Sequence, residues 1–220
     1  LGDVYKRQDA VIVLVTNYPY SIVELQNRAK AIVYTASGSQ ELGNGIAAVL
    51  SGRVNPAARL PMTWYRKDED LADINDYDII KGKRTYQYFD RKVLYPFGYG
   101  LSYTTFSYSD ITLDKSSMNI NGEITATVTV TNTGKYDGSE VVQLYIRDLI
   151  GSVTRPVKEL KGFEKIFLKA GESKQVSFKL TADMLKFYNY NLDFVCEPGD
   201  FEVMIGGDSR DVNKALFLLQ

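Results

Sequence analysis

Glu41 is the carboxylate whose setting suggests acid–base or ligand chemistry. It stands in a glycine-bounded turn, Gly38-Ser39-Gln40-Glu41-Leu42-Gly43, directly after a strand-like run, which is where α/β sheets offer side chains to ligands. It can contact a substrate there. It can also accept from nearby backbone N–H groups or place a charge at the start of the next helix. A second acidic group runs through Lys67-Asp68-Glu69-Asp70 and on to Asp73, Asp76 and Asp78. It lacks the spaced D-x-D-x-D-G pattern of a calcium loop, so a solvated loop is expected and no metal site is assigned. The chain contains no histidine, which removes a histidine base, a catalytic triad and any histidine metal site. Its single cysteine, Cys196, cannot form an internal disulfide and reads as a small core residue.

Two irregular runs stand out against the regular patterns. One is Asn55-Pro56-Ala57-Ala58-Arg59-Leu60-Pro61-Met62-Thr63-Trp64, and the other is Tyr95-Pro96-Phe97-Gly98-Tyr99-Gly100-Leu101-Ser102-Tyr103-Thr104-Thr105-Phe106. No helical or strand period explains either. Glycines among rings and prolines predict an ordered segment in which backbone passes close to packed aromatics, between domains or along a pocket.

The elements that position these residues change character near residue 100. Asp9 to Thr16 and Ala31 to Ala36 are continuous apolar runs, as expected of strands covered on both faces. Ser21 to Ala29 reads as a short helix with a Ser21/Glu24 capping box, and Asn44 to Ser51 as a helix ended by Gly52. Strand, helix, strand, helix predicts a parallel sheet. Beyond residue 100 the period becomes two. Ile124, Ala126, Val128 and Val130 alternate with polar residues, and Val142, Leu144 and Ile146 alternate with Gln143, Tyr145 and Arg147. Val176-Phe178-Leu180 and Phe201-Val203-Ile205 follow the same rule, with turn signals between the runs. About seven short strands over this length predict an immunoglobulin-like antiparallel sandwich.

Bulk properties narrow the function classes. The 220 residues are 45% hydrophobic with a net charge of -1. No window approaches a membrane-spanning length, and the charge gives no electrostatic case for nucleic acid or an anionic membrane. The 16 tyrosines suit a sugar-binding surface, since rings stack on sugar faces, but they also suit any β-rich domain. No Met opens the chain and no signal peptide is legible. Leu1 to Gln8 reads as a translated sequencing adaptor and is set aside from fold reasoning.

Several ordered motifs resemble the C-terminal part of the family 3 glycoside hydrolases. They are Gly38 to Asn44, Leu50-Ser51-Gly52-Arg53-Val54 with the Asn55 run, and the Tyr95 run. Val128 to Gly134, Val141-Val142-Gln143-Leu144-Tyr145, Arg155 to Phe163 and Glu197-Pro198-Gly199-Asp200-Phe201 are similar to the fibronectin type III-like domain that closes many members. Tyr99 departs from the pattern, because many members carry histidine there. The resemblance implies an α/β remnant, a partial parallel-sheet α/β sandwich domain, followed by an all-β immunoglobulin/fibronectin type III-like sandwich. The implied boundaries are 9–66 for the α/β part, 67–105 for an interdomain loop and linker, and 106–220 for the sandwich.

The resemblance also implies a retaining exo-acting β-glycosidase that needs no cofactor. Its two carboxylates sit about 5 Å apart. The nucleophilic Asp belongs to an N-terminal barrel and the acid/base Glu to the α/β domain upstream of Asp9, so neither is expected in this chain. The implied partners are an oligosaccharide or aryl glycoside substrate and the missing barrel domain, with no nucleic acid and no membrane. Arg84-Thr85-Tyr86-Gln87-Tyr88-Phe89 resembles a segment of the β-xylosidase-like branch. Arg84 and Tyr86 there either form part of a pocket wall or pack the interdomain seam. Glu41, Arg84 and Tyr86 are therefore the substrate-proximal candidates. A non-catalytic carbohydrate-binding module and a purely structural scaffold remain open beside the enzyme reading.

Overall fold

Two β-branched segments, Val11–Val15 (β1) and Ala31–Thr35 (β2), pair in parallel, with Val11 opposite Ala31 and Val15 opposite Thr35. The computed structural model describes residues 10–220, so the adaptor reading of Leu1 to Gln8 lies outside the described residues. The helix Val23–Arg28 (α1) joins the two strands and Leu42–Leu50 (α2) follows them. The expected burial on both faces is not met: no residue of β1 or β2 is fully buried. One layer covers them, built on Ile22, Trp64 and Leu94. A second layer is absent among the described residues.

The helix boundaries correct two expectations. The Ser21/Glu24 capping box does not form: α1 begins at Val23, and Ser21 Oγ donates instead to Asp68 Oδ1 at 2.8 Å. A charged acceptor from another segment outcompetes a local backbone cap. The second helix begins at Leu42, two residues before the expected Asn44, which puts Glu41 at its N-cap position. Its end agrees with the sequence, since Gly52 takes φ +75° just past Ser51.

Little regular structure lies between α2 and residue 105. A 3-10 turn at Asp68–Asp70 and the single-turn helix Thr85–Tyr88 (α3) are its short elements.

The sandwich then assembles from two sheets. The first joins Phe106–Tyr108 (β3), Thr112–Leu113 (β4) and Ser173–Thr181 (β9) to Glu123–Asn132 (β6). The second has five strands, Ser117–Met118 (β5), Val212–Leu219 (β13), Gly199–Gly206 (β12), Gly138–Asp148 (β7) and Glu159–Leu168 (β8), in that spatial order. The short helix Ala182–Leu185 (α4) leads into the small hairpin of Phe187–Tyr188 (β10) and Phe194–Val195 (β11).

The alternation does what period two requires. Ile124, Ala126, Val128 and Val130 of β6 are all at most 1% exposed, while the outward Thr127 and Thr131 bond to Ser177 and Ser173 across the pair. Strand β7 departs from it. Val142, Leu144 and Ile146 face the core as expected, but Gln143 and Tyr145 on the opposite face are buried as well, at 3% and 0% exposure. That second face is covered by the segment leading into the sandwich, and there the interdomain seam lies.

Candidate functional site

The two irregular runs pair with each other. Leu60 N–H donates to Tyr99 O and Gly98 N–H to Leu60 O, both at 2.8 Å. Further along, Trp64 N–H donates to Tyr95 O at 2.9 Å and Leu94 N–H to Trp64 O at 2.8 Å, forming an isolated antiparallel bridge. The Trp64 indole sits beneath β2, edge-on to Tyr34 at 5.4 Å and to Tyr95 at 6.1 Å. Tyr95 stacks on Tyr99 at 5.2 Å. Burial pushes both phenols upward; the neighbouring Tyr99 adds to this at Tyr95, while Arg210 pulls Tyr99 back.

The paired runs dock on β7. Gly98 takes φ +82°, and a Cβ there would lie 2.0 Å from Gln143 Oε1, so only glycine fits. The Gln143 amide donates to Gly98 O at 3.1 Å and to Gly207 O, and its carbonyl accepts from Tyr145 Oη at 2.6 Å. Phe97 stacks on Tyr86 at 4.4 Å, and Tyr86 meets Tyr145 edge-on at 5.9 Å. The turn between β12 and β13 closes this layer, with Ser209 N–H donating to Phe97 O at 2.9 Å. Lys158 donates to Ser209 O, and its desolvation pushes the ammonium below its usual range, with Lys214 adding to the effect.

A buried ion pair bolts the same seam. Arg59, from the Asn55 run, donates to Glu140 Oε2 at 2.6 Å, and the two side chains are 9% and 5% exposed. Tyr108 Oη donates to the other oxygen at 3.1 Å. Burial raises the Glu140 carboxyl above the usual carboxylate range, with the Arg59 guanidinium and the Tyr108 hydrogen bond pulling against it. Asn55 adds a lighter clasp, accepting from Tyr103 N–H at 2.8 Å and donating to Asp137 O at 2.9 Å.

The three candidates from the sequence have separate partners. Glu41 is exposed at the N-cap of α2 and accepts from the Asn44 side-chain amide at 2.6 Å. Arg84 donates to the Asp73 carbonyl and to the Asp76 carbonyl, the latter at 2.7 Å. It thereby holds the acidic loop, whose Asp73, Asp76 and Asp78 carboxylates turn back onto backbone N–H groups. Lys83 and Thr85 beside it take φ +48° and +61°, a strained backbone held by these contacts and by Tyr65 Oη, which accepts from Thr85 N–H at 3.1 Å. Tyr86 belongs to the seam: its hydroxyl accepts from Leu160 N–H at 3.1 Å, and burial raises its pKa.

No group of three or more His, Cys, Asp or Glu among the described residues could hold a metal ion. Cys196 is half-buried with its thiol pushed upward by burial. The sequence reading missed Arg59, Tyr108, Glu140 and Gln143 as seam residues. Gln143 was polar at a position that alternation assigns to solvent, Glu140 was a charge in register with the inward-facing Val142 and Leu144, and Arg59 lay in a run with no period at all.

A two-stranded parallel unit docked through an aromatic seam onto a fibronectin-like sandwich defines the class of molecule. The glycosyl hydrolase family 3 C-terminal domain matches residues 3–103, and the fibronectin type III-like domain matches residues 140–209. The chain is 45% identical over 219 residues to a periplasmic beta-glucosidase of Salmonella typhimurium, covering 95% of this chain and 29% of that protein. It is 43% identical over 210 residues to a putative beta-xylosidase of Formosa agariphila, covering 96% of this chain and 28% of that protein. A crystal structure of beta-glucosidase from Listeria innocua in complex with isofagomine superposes with a TM-score of 0.84 at 34% identity, over 97% of this chain and 31% of that one. The chain belongs to glycoside hydrolase family 3 and corresponds to the family's C-terminal region. It spans less than a third of the length of these curated relatives.

Proposed function

We propose that this chain is the C-terminal part of a retaining, exo-acting β-glycosidase that removes terminal β-linked glucose or xylose from oligosaccharides. The observation that carries this reading is the pairing of the two irregular runs and their docking on β7, in a chain alike over nearly its whole length to proteins named beta-glucosidase and beta-xylosidase. The hydrolysis needs two carboxylates about 5 Å apart flanking the scissile bond. Glu140 is committed to Arg59 and Tyr108, and Glu41 is exposed with Asn44 as its hydrogen-bond partner. On the family resemblance the nucleophilic Asp belongs to the barrel domain and the acid/base Glu to the α/β domain upstream of Asp9, and this chain serves as a rigid support beside the active site. Within it, Arg84 holds the loop from Asp73 to Asp78 in a fixed shape, and Tyr86 fixes that loop's exit to the sandwich. Glu41 stands on a strand-to-helix turn of the sheet, a face from which α/β domains contact ligands.

The test is direct. The 220-residue chain should release no nitrophenol above buffer from nitrophenyl β-glucoside or β-xyloside, and a version completed with a family barrel should release it from one or both. Turnover by the chain alone that Glu41→Gln abolishes would make Glu41 catalytic and overturn the reading. A completed enzyme inactive on both substrates would favour the alternative of a binding or structural module.

A further inference from the structure

The seam opens on one side into a cleft of about 1110 Å³ between the end of α2, the Asn55 loop and the β6–β7 turn. Three rings line it: Tyr103, Tyr136 and Phe167, which are 46%, 62% and 59% exposed. Two cations line it as well, Arg53 and Lys135, and neither makes an ion pair or side-chain hydrogen bond to another described residue. The one acid on its wall, Asp137, is already engaged by Ala170 N–H at 2.9 Å. The α2 terminus is also capped. The carbonyls of Ala47, Ala48 and Val49 accept from Ser51, Val54, Gly52 and the Tyr103 hydroxyl, so the negative end of the helix dipole is muted.

The walls are fixed in place. Asn55 bridges Tyr103 and Asp137 across the two domains, and Tyr103 Oη reaches Val49 O at 2.6 Å. The cleft thus offers exposed aromatic faces, that of Tyr103 held by its hydrogen bond to Val49 O, together with two cations against one carboxylate. Sugar rings present flat C–H faces to such aromatics. Among sugars, one that carries a carboxylate matches the charge.

We propose that this cleft is a second, non-catalytic carbohydrate site that takes an oligosaccharide bearing a uronic acid. The rings hold the neutral sugars, and Arg53 and Lys135 hold the carboxylate. The choice of sugar as the ligand class rests on the glycosidase reading above. The site would keep the parent enzyme on an acid-decorated polysaccharide while it trims nearby ends.

Calorimetric titration of the 220-residue chain tests this, using xylotetraose and the same tetraose with a glucuronic acid branch. The branched sugar should bind about fivefold tighter at low salt, the size expected for two exposed charge contacts. The preference should vanish near ~1 M NaCl. Arg53→Ala combined with Lys135→Ala should abolish the preference and leave xylotetraose binding intact. Tyr136→Ala with Phe167→Ala should weaken both sugars about tenfold, whereas Tyr190→Ala, at the exposed tip between β10 and β11, should change neither. All substituted side chains are exposed, so thermal melts should stay at the wild-type value. Failure of either sugar to bind, equal affinity for both, or an equal effect of Tyr190→Ala would each overturn the proposal. Binding is read without turnover: a completed enzyme that hydrolyses glycosides while the cleft stays empty would sink only the cleft, and a filled cleft beside an inactive completed enzyme would sink only the glycosidase reading.

Discussion

The α/β half and the sandwich use the same β-branched residues to opposite effect. In the sandwich, alternating runs face each other across two sheets and enclose one continuous core from Met118 to Leu219, with Ile124, Val142, Leu144, Val203 and Ile205 wholly buried. In the α/β half the runs are continuous, but among its described apolar residues only Ile22, Ala48, Trp64 and Leu94 are buried, and Val11, Val15, Tyr18 and Tyr20 stand 48–71% exposed. Alternation specifies one covered face and a continuous run specifies two. The sandwich satisfies its pattern with its own residues, while β1 and β2 carry a pattern whose second covering layer is not among the described residues. The first half therefore depends on neighbours for its stability, and the seam is one of them.

The largest expected effect comes from cutting the halves apart. Residues 101–220 should express solubly and unfold in one cooperative transition. Residues 9–100 should aggregate, because their exposed apolar faces and open strand edges lose even the seam. Soluble expression and a sharp calorimetric transition for 9–100 would break the comparison.

Next is the buried Arg59–Glu140 pair. Arg59→Met leaves Glu140 enclosed without its cation, and should cost about 3–5 kcal/mol at neutral pH. The pH dependence has a definite sign. Glu140 already titrates above the usual carboxylate range because it is buried. A raised folded pKa means that its contribution to stability is complete below the unfolded value and is lost as pH rises through the folded one. Removing Arg59 takes away the largest influence holding the value down. The penalty should thus be full at neutral pH and shrink as pH falls into and below the carboxylate range, where Glu140 can enter the fold protonated. Melts of wild type and variant across that range check it, and a penalty independent of pH would mean that Arg59 acts by packing alone.

Gly98 sits between the halves. Gly98→Val combines an unfavourable φ with a Cβ 2.0 Å from the Gln143 carbonyl oxygen, and should cost about 1–3 kcal/mol. In an enzyme completed with its barrel it should also lower kcat/KM, because the Tyr95 run would shift. Thr112→Val, on an exposed position of β4, should leave both quantities near wild type. Paired melts and kinetics that show Gly98→Val at wild-type values would make the segment a passive connector.

The sequence makes some of this legible and hides the rest for physical reasons. Period two in β6 found the inward residues because one sheet face meets core and the other is open to solvent; in β12 it found Phe201, Val203 and Ile205 but not the burial of Met204 on the opposite face. The same rule misread β7, where Gln143 and Tyr145 face a second covering layer supplied by residues more than forty positions upstream. Periodicity has no access to such long-range cover. Glycine and aromatic composition marked the two irregular runs as ordered, but not that they pair, since Leu60–Tyr99 and Trp64–Tyr95 are long-range backbone contacts that no local propensity encodes. Ser21 shows the converse error: a locally valid cap signal was overridden by Asp68 arriving from elsewhere. Of the candidate residues, Tyr86 packs the seam, one of the two roles read for it, while Arg84 braces the loop from Asp73 to Asp78, a role the sequence reading did not offer because it rests on tertiary contacts.

The smallest effect separates the halves most cleanly. Gly45 lies inside α2, exposed, and a Cβ there would meet nothing within 4 Å. Glycine in a helix interior costs about 1 kcal/mol relative to alanine, through the backbone freedom that it surrenders on folding. Gly45→Ala should therefore stabilise α2 by roughly 0.5–1 kcal/mol. Where that gain registers is the informative part. If the α/β half holds its shape only through the seam, calorimetry of the 220-residue chain should show a lower transition that rises by a few degrees in the variant, while the higher sandwich transition stays fixed. A single transition that moves as a whole would mean that the Arg59–Glu140 bolt and the Gln143 clamp fuse the halves into one cooperative unit, and the contrast between a self-sufficient and a dependent half would have to be given up.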